Sequence, residues 1–148
     1  MFMDALGLVA NVQPVAGADT DVSPSSIDLG AATPKGEIGT GEEIGFGVAI
    51  DVAAVTGGGE TYALEVIQSA SEDLSAPDVL RSRPMLAADL AAGSRHFIGV
   101  PDPGPTKRYL GLQWVKTGAG AGLTYTAWLT TQSAFSLEPK IHPKGYAN

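Results

Sequence analysis

The chain has no cysteine, little charge and no long apolar run. Without a thiol, disulfides, cysteine zinc sites and thiol nucleophiles are all excluded. Charged residues make up 17% of 148. That is low for a surface wetted on every side, so part of it is expected to lie against another protein. Lys plus Arg number 9 against 16 Asp plus Glu, for a net charge of −7, and the basic residues are scattered. A nucleic-acid partner needs clustered cations to release counterions, and a membrane surface needs a polybasic stretch; neither is expected. No segment reaches the ~20 apolar residues of a membrane span. The opening MFMDALGLVANV lacks a positive n-region and carries Asp4 early. It reads as an N-terminal arm or edge strand rather than a targeting segment.

What the chain has instead is β patterning broken by turns, with 19 glycines and 10 prolines in one domain-sized length. Ile44 to Val52 is the cleanest strand. Ile44, Phe46, Val48, Ile50 and Val52 fall on one face, with Gly45, Gly47, Ala49 and Asp51 on the other. The small-residue face has two readings: a plain solvent face, which is favoured, or a place where another backbone approaches closely. Thr61 to Gln68 follows, with Tyr62, Leu64 and Val66 inward. Ser69 to Ser82 reads as a surface loop or bent strand, and Pro84 to Ala92 stays open between a two-turn helix and a short strand. Ser94 to Val100, Tyr109 to Lys116 and Leu123 to Thr131 are further strands. The last two read as a hairpin across the Gly118 to Gly122 turn. In them Leu110, Leu112 and Trp114 share one face, as do Leu123, Tyr125, Ala127 and Leu129. About eight such strands predict an all-β jelly roll or β-sandwich of antiparallel strands. The expected layout is an extended arm over 1–25, a β domain over 26–132 and a Pro-bearing extended arm over 133–148.

A search for chemistry finds little. His96 lies in a strand beside Phe97, His142 lies beside Pro143 in the tail, and neither has a neighbour at metal-ligand spacing. The acidic pairs Glu42-Glu43 and Glu72-Asp73 lack the alternating spacing of a calcium loop. The glycine clusters are followed by neither Gly-Lys-Ser/Thr nor a helix that would hold a pyrophosphate. No catalytic residue, metal site or cofactor is therefore assigned, and the chain is read as non-enzymatic. Trp128 stands out because Thr124, Thr126 and Thr130 share its face. It is either a contact anchor or a ring lying flat on its own sheet under a loop or arm. The arms carry Phe2 and Leu6 at one end and Phe135, Leu137, Ile141 and Tyr146 at the other. These residues, with Trp128, are the candidate interface set.

The succession SSIDLG, GTGEEIGFGVAIDVA, ETYALEVIQSASEDL, LAAGSRHFIGVPDP and KRYLGLQWVKTGAGAGLTYTAWLTT resembles the Bbp16-type capsid cement proteins of tailed phages. The pieces that carry the resemblance are Ile27 to Gly30, Leu90 to Arg95 and Arg108 to Leu112, within a span of about residues 20–132; the two arms lie outside it. The resemblance implies a jelly-roll decoration protein of the virion. Such a protein forms a homotrimer on the outer capsid surface and bridges capsomers through the major capsid protein. A jelly-roll carbohydrate-binding module for host attachment is the alternative, with Trp128 as its contact.

Overall fold

Among the described residues the chain forms nine strands, and the large side chains that alternate along the longer central ones meet in one core. The computed structural model describes residues 7–15, 19–31, 43–54, 59–101, 104–118 and 122–141. In chain order the strands are β1 (Leu8–Pro14), β2 (Asp19–Val22), β3 (Ile27–Asp28), β4 (Ile44–Val52), β5 (Thr61–Ser69), β6 (Asp78–Met85), β7 (Arg95–Gly99), β8 (Tyr109–Thr117) and β9 (Thr124–Thr131). Helix α1 (Gln132–Ile141) follows. One sheet has the order β1-β9-β4-β7; the other has β2-β8-β5-β6, with β3 also on β8. Every pairing is antiparallel. Two such sheets with their apolar faces inward are a β-sandwich, the fold class that the alternation predicts.

The core is built from the faces the alternation marks. Phe46, Val48 and Ile50 of β4 are buried with Tyr62, Leu64 and Val66 of β5, Leu110, Leu112 and Trp114 of β8, and Tyr125 and Ala127 of β9. Trp114 meets Tyr125 edge-on, with ring centroids 5.8 Å apart. Val52, expected to extend the inward face of β4, points out instead. A register shift against β9 between Ile50 and Val52 leaves it 55% exposed.

Three expectations need correction, and two open segments are resolved. The supposed β8–β9 hairpin does not exist: β8 pairs with β2, β3 and β5, and β9 with β1 and β4. Both strands have correct inward faces, but those faces look at each other across the core, so the connection crosses between sheets. Within the N-terminal stretch read as an arm, residues 8–14 and 19–22 are strands of the two sheets. Val9, Ala10 and Val15 are buried, and Val15 N–H donates to the Leu123 carbonyl at 2.7 Å. The C-terminal stretch, read as extended, is helical through Ile141. Thr131 Oγ1 accepts from Ala134 N–H at 3.2 Å, the bond that caps a helix start. The polar segment Ser69 to Ser82, read as a surface loop or bent strand, is both: residues 70–77 are loop and strand β6 begins at Asp78. The open segment after Pro84 is the end of that strand followed by one 3-10 turn, Ala87–Asp89.

Removing the ring of fully buried Phe46 leaves a cavity between the sheets. Phe46→Ala is expected to lower unfolding free energy by about 3–5 kcal/mol, read as a shift of the urea midpoint with unchanged slope.

Candidate interaction surfaces

The outer face of the β1-β9-β4-β7 sheet carries the most specific arrangement. Gly47 of β4 lies in register between Phe97 of β7 and Trp128 of β9. A Cβ at Gly47 would come within 2.7 Å of the Trp128 indole and 3.1 Å of the Phe135 ring. The glycine therefore makes a gap, the indole lies across it, and α1 seats Phe135 over the pair. Phe135 is 5.6 Å from Phe97 and 6.5 Å from Trp128, centroid to centroid. The Arg95 guanidinium caps the cluster, 5.3 Å from the Trp128 ring and 5.2 Å from Phe135. Burial there lowers the pKa of Arg95 from its ordinary value. Trp128 is only 4% exposed, and among the described residues its Nε1–H has no acceptor. Such an orphan donor costs about 1–3 kcal/mol. The favoured solvent-face reading of the β4 glycines is thus overturned. At Gly47 the gap admits rings, and at Gly45 an added Cβ would collide with the Ile98 carbonyl oxygen.

Farther along the same face, Val12 adopts φ +46 and is 59% exposed. A β-branched residue in that region is strained. The backbone there is held by a short relay: Val12 N–H donates to Thr126 Oγ1 at 3.1 Å, and Thr126 Oγ1 donates to Asp51 Oδ2 at 2.7 Å.

The opposite sheet is covered differently. Gly111 of β8 faces Ile67 of β5. An added Cβ there would strike Leu74, whose fully buried side chain folds back from the β5–β6 loop. Leu74 itself has φ +58. The loop is tied by Ser69 Oγ to the Ser75 carbonyl at 2.7 Å, Ser71 N–H to Ser69 Oγ at 3.0 Å and Ser75 N–H to Asp73 Oδ1 at 3.0 Å.

All four sheet edges are blunted. An edge strand exposes unpaired amides that recruit further strands unless bulges, proline, charge or brevity prevent it. β1 carries two register shifts and ends at Pro14. β2 has four residues, two of them Asp. β6 has a register shift, Arg81, Arg83 and Pro84. β7 has five residues; Arg83 Nη1 donates to its Phe97 carbonyl at 3.1 Å, and Glu43 covers Gly99. Three of the four arginines in this acidic chain therefore lie on β6 and β7. An open groove of about 510 Å³ runs along that edge, lined by Arg83, Pro84, Met85, Leu86, Asp89 and His96. Half-buried His96 places Nε2 3.0 Å from the Asp89 carbonyl oxygen and 3.3 Å from Ser94 Oγ. Among the described residues no three His, Asp or Glu side chains gather to hold a metal ion.

Of the candidate interface set, Trp128 and Phe135 are brought together, ring against ring, within this one chain. Leu137 and Ile141 lie on α1, with side chains outside the described residues, as do Phe2, Leu6, Tyr146 and His142 altogether. Gly47 and Arg95 are the members sequence reading missed. Their signal was present: a glycine flanking a strand position is a gap when an aromatic occupies the neighbouring strand at the same register.

The fold and these surfaces define an all-β sandwich domain with one strapped aromatic socket. Residues 9–129 match the family model Bbp16, and the chain belongs to the Bbp16 family. Bbp16 is a phage-related family, which points to a phage structural protein. The match includes the three segments on which the resemblance was drawn. No curated protein matches the chain.

Burial lowers the His96 pKa from 6.5, with nearby Arg83 acting in the same direction and the contact with Asp89 opposing. Below 6.5 the unfolded chain binds more protons than the folded one, so stability is full above that value and falls as pH drops through the folded pKa. NMR titration is expected to show a His96 midpoint below 6.5, and His96→Asn is expected to flatten the stability–pH curve in that window.

Proposed function

We propose that this chain is a capsid cement protein: a structural, non-enzymatic virion component. It binds the outer surface of a tailed-phage capsid as a homotrimer and bridges neighbouring capsomers through the major capsid protein. Membership of the Bbp16 family over residues 9–129 carries this reading. The strand order supports the jelly-roll form of the sandwich, since the successive strands β1 and β2, β4 and β5, β6 and β7, and β8 and β9 each divide between the two sheets. The net charge of −7 suits a position outside the shell rather than against packaged DNA. Blunted edges direct association to sheet faces and terminal segments, where Phe2, Leu6, Leu137, Ile141 and Tyr146 supply apolar side chains.

The mechanism is mass action. A ligand that binds the assembled shell and not its dissociated subunits stabilises the shell, by about 2.7 kcal/mol when its free concentration is 100 times Kd. Repeated over many capsomer boundaries, this opposes rupture without any chemical step. The carbohydrate-binding alternative depended on an exposed Trp128, and the indole is buried under α1.

Shells of the encoding phage prepared without this protein are expected to bind it saturably and to withstand heating to a higher temperature once decorated. Light scattering of the purified protein is expected to give three chain masses. Undecorated shells that neither bind the protein nor gain heat resistance would refute the cement role.

A further inference from the structure

We propose that the outer edge of β7 pairs with β7 of a second copy of this chain once His96 takes up a proton, and that Arg83 is the guard whose release links the two events. The inference concerns the chain and its own copies, and it stands independently of the capsid reading.

β7 ends its sheet, and among the described residues it is laddered to β4 alone. Its Phe97 carbonyl turns away from β4, because it accepts from Arg83 Nη1 of β6 at 3.1 Å. In an antiparallel ladder the N–H and C=O of one residue serve the same neighbour, so the Phe97 amide faces the outer edge as well. A second β7, antiparallel about a two-fold axis at Phe97, makes a hydrogen-bonded pair of that residue with its own copy. The same register sets Arg95 of each copy opposite Gly99 of the other. Glu43 lies over Gly99, since an added Cβ there would fall on its carboxylate oxygen. Each guanidinium is thereby brought beside a carboxylate of the other chain, twice by symmetry. That charge match selects β7 of another copy over an arbitrary strand. A two-fold contact also closes on itself and does not extend into a fibre.

The guard keeps this edge shut at neutral pH, because Arg83 holds the carbonyl that the incoming strand needs. His96 acts on the guard because the two line one groove. The groups that face the imidazole are Arg83 from β6 and Asp89 from the 3-10 turn, whose carbonyl oxygen is 3.0 Å from Nε2. Ser94 Oγ lies at 3.3 Å. β4 presents uncharged Val48 in register. Arg81 of β6 is engaged by Glu43 at 3.4 Å, and Arg95 leaves the other side of β7, over Trp128. Among the described residues Arg83 is therefore the cation that a protonated His96 confronts. The coupling is reciprocal. A guanidinium that disfavours the imidazolium is itself displaced more easily once the imidazolium forms. The Arg83 side chain is exposed, so its release costs no core contact.

The full chain tests this with a fluorescent peptide of residues 94–100, SRHFIGV, carrying His96→Asn so that only the protein titrates. Wild type is expected to bind it about tenfold more tightly at about pH 5 than at about pH 7.5, a window above the ordinary carboxylate range. The sedimenting mass of the full chain is expected to grow over the same window and to fall back with excess peptide. His96→Asn, with His96→Gln as a second neutral form, is expected to show neither change. Arg83→Gln is expected to bind the peptide tightly at both pH values. Wild-type binding that ignores pH overturns the proposal, as does an acid gain kept by both His96 variants or no gain in Arg83→Gln at neutral pH. Equal binding of a peptide N-methylated at Phe97, which cannot form the ladder, also overturns it. Peptide binding without growth in mass rejects the second copy as the partner.

Discussion

Trp114 and Tyr125 belong to different sheets, and their edge-on contact in the core fixes how the chain is wound. The two residues lie on strands consecutive in sequence, yet each strand finds its hydrogen-bond partners elsewhere: β8 between β2 and β5, β9 between β1 and β4. Residues adjacent in the chain thus face each other across apolar contact, and residues distant in the chain share ladders. Non-local pairing of this kind defers most of the stabilising contacts until large loops have closed. It also gives the N-terminal strands a place in both sheets. β1 and β2 are the last strands on their respective sheets, and Val9 and Val15 seal the core from that side.

The two outer faces use one device with different strengths. On each, a glycine removes a Cβ and a bulky side chain from a distant segment settles into the space: Leu74 over Gly111, Phe135 and Trp128 over Gly47. The loop behind Leu74 is tied down by serine hydroxyls and the Asp73 carboxylate. The helix behind Phe135 has the Thr131 cap at its start and a proline in its last turns. The first cover is part of the permanent structure. The second reaches the sheet through the Phe135 ring and, at the helix start, the bond from Gln132 N–H to the Glu43 carbonyl.

Much of the strand content was legible because the large apolar side chains of β4, β5, β8 and β9 keep period two and form the core faces. Partners were not legible. Alternation states which way a side chain points and says nothing about which strand lies beside it, so β8 and β9 read as a hairpin although each pairs within a different sheet. β6 was obscured because an edge strand guarded by Arg81, Arg83 and Pro84 has the composition of a loop. α1 was obscured because Pro139 contradicts helix locally, and only tertiary docking of Phe135 overrides it. At the socket, Trp128 was conspicuous in sequence, but Gly47 and Arg95 became meaningful only once register placed them beside it.

The guarded margins of the sandwich bear on how such a protein is made. Any chain made in quantity meets its own copies at high local concentration. β-rich chains with bare lateral strands polymerise under those conditions. Here the guanidinium of Arg83 occupies the carbonyl that an incoming strand would need, and the bulges of β1 and β6 break the straight ladder a growing fibril requires. Accumulation without fibre formation is thus built into the perimeter of the fold.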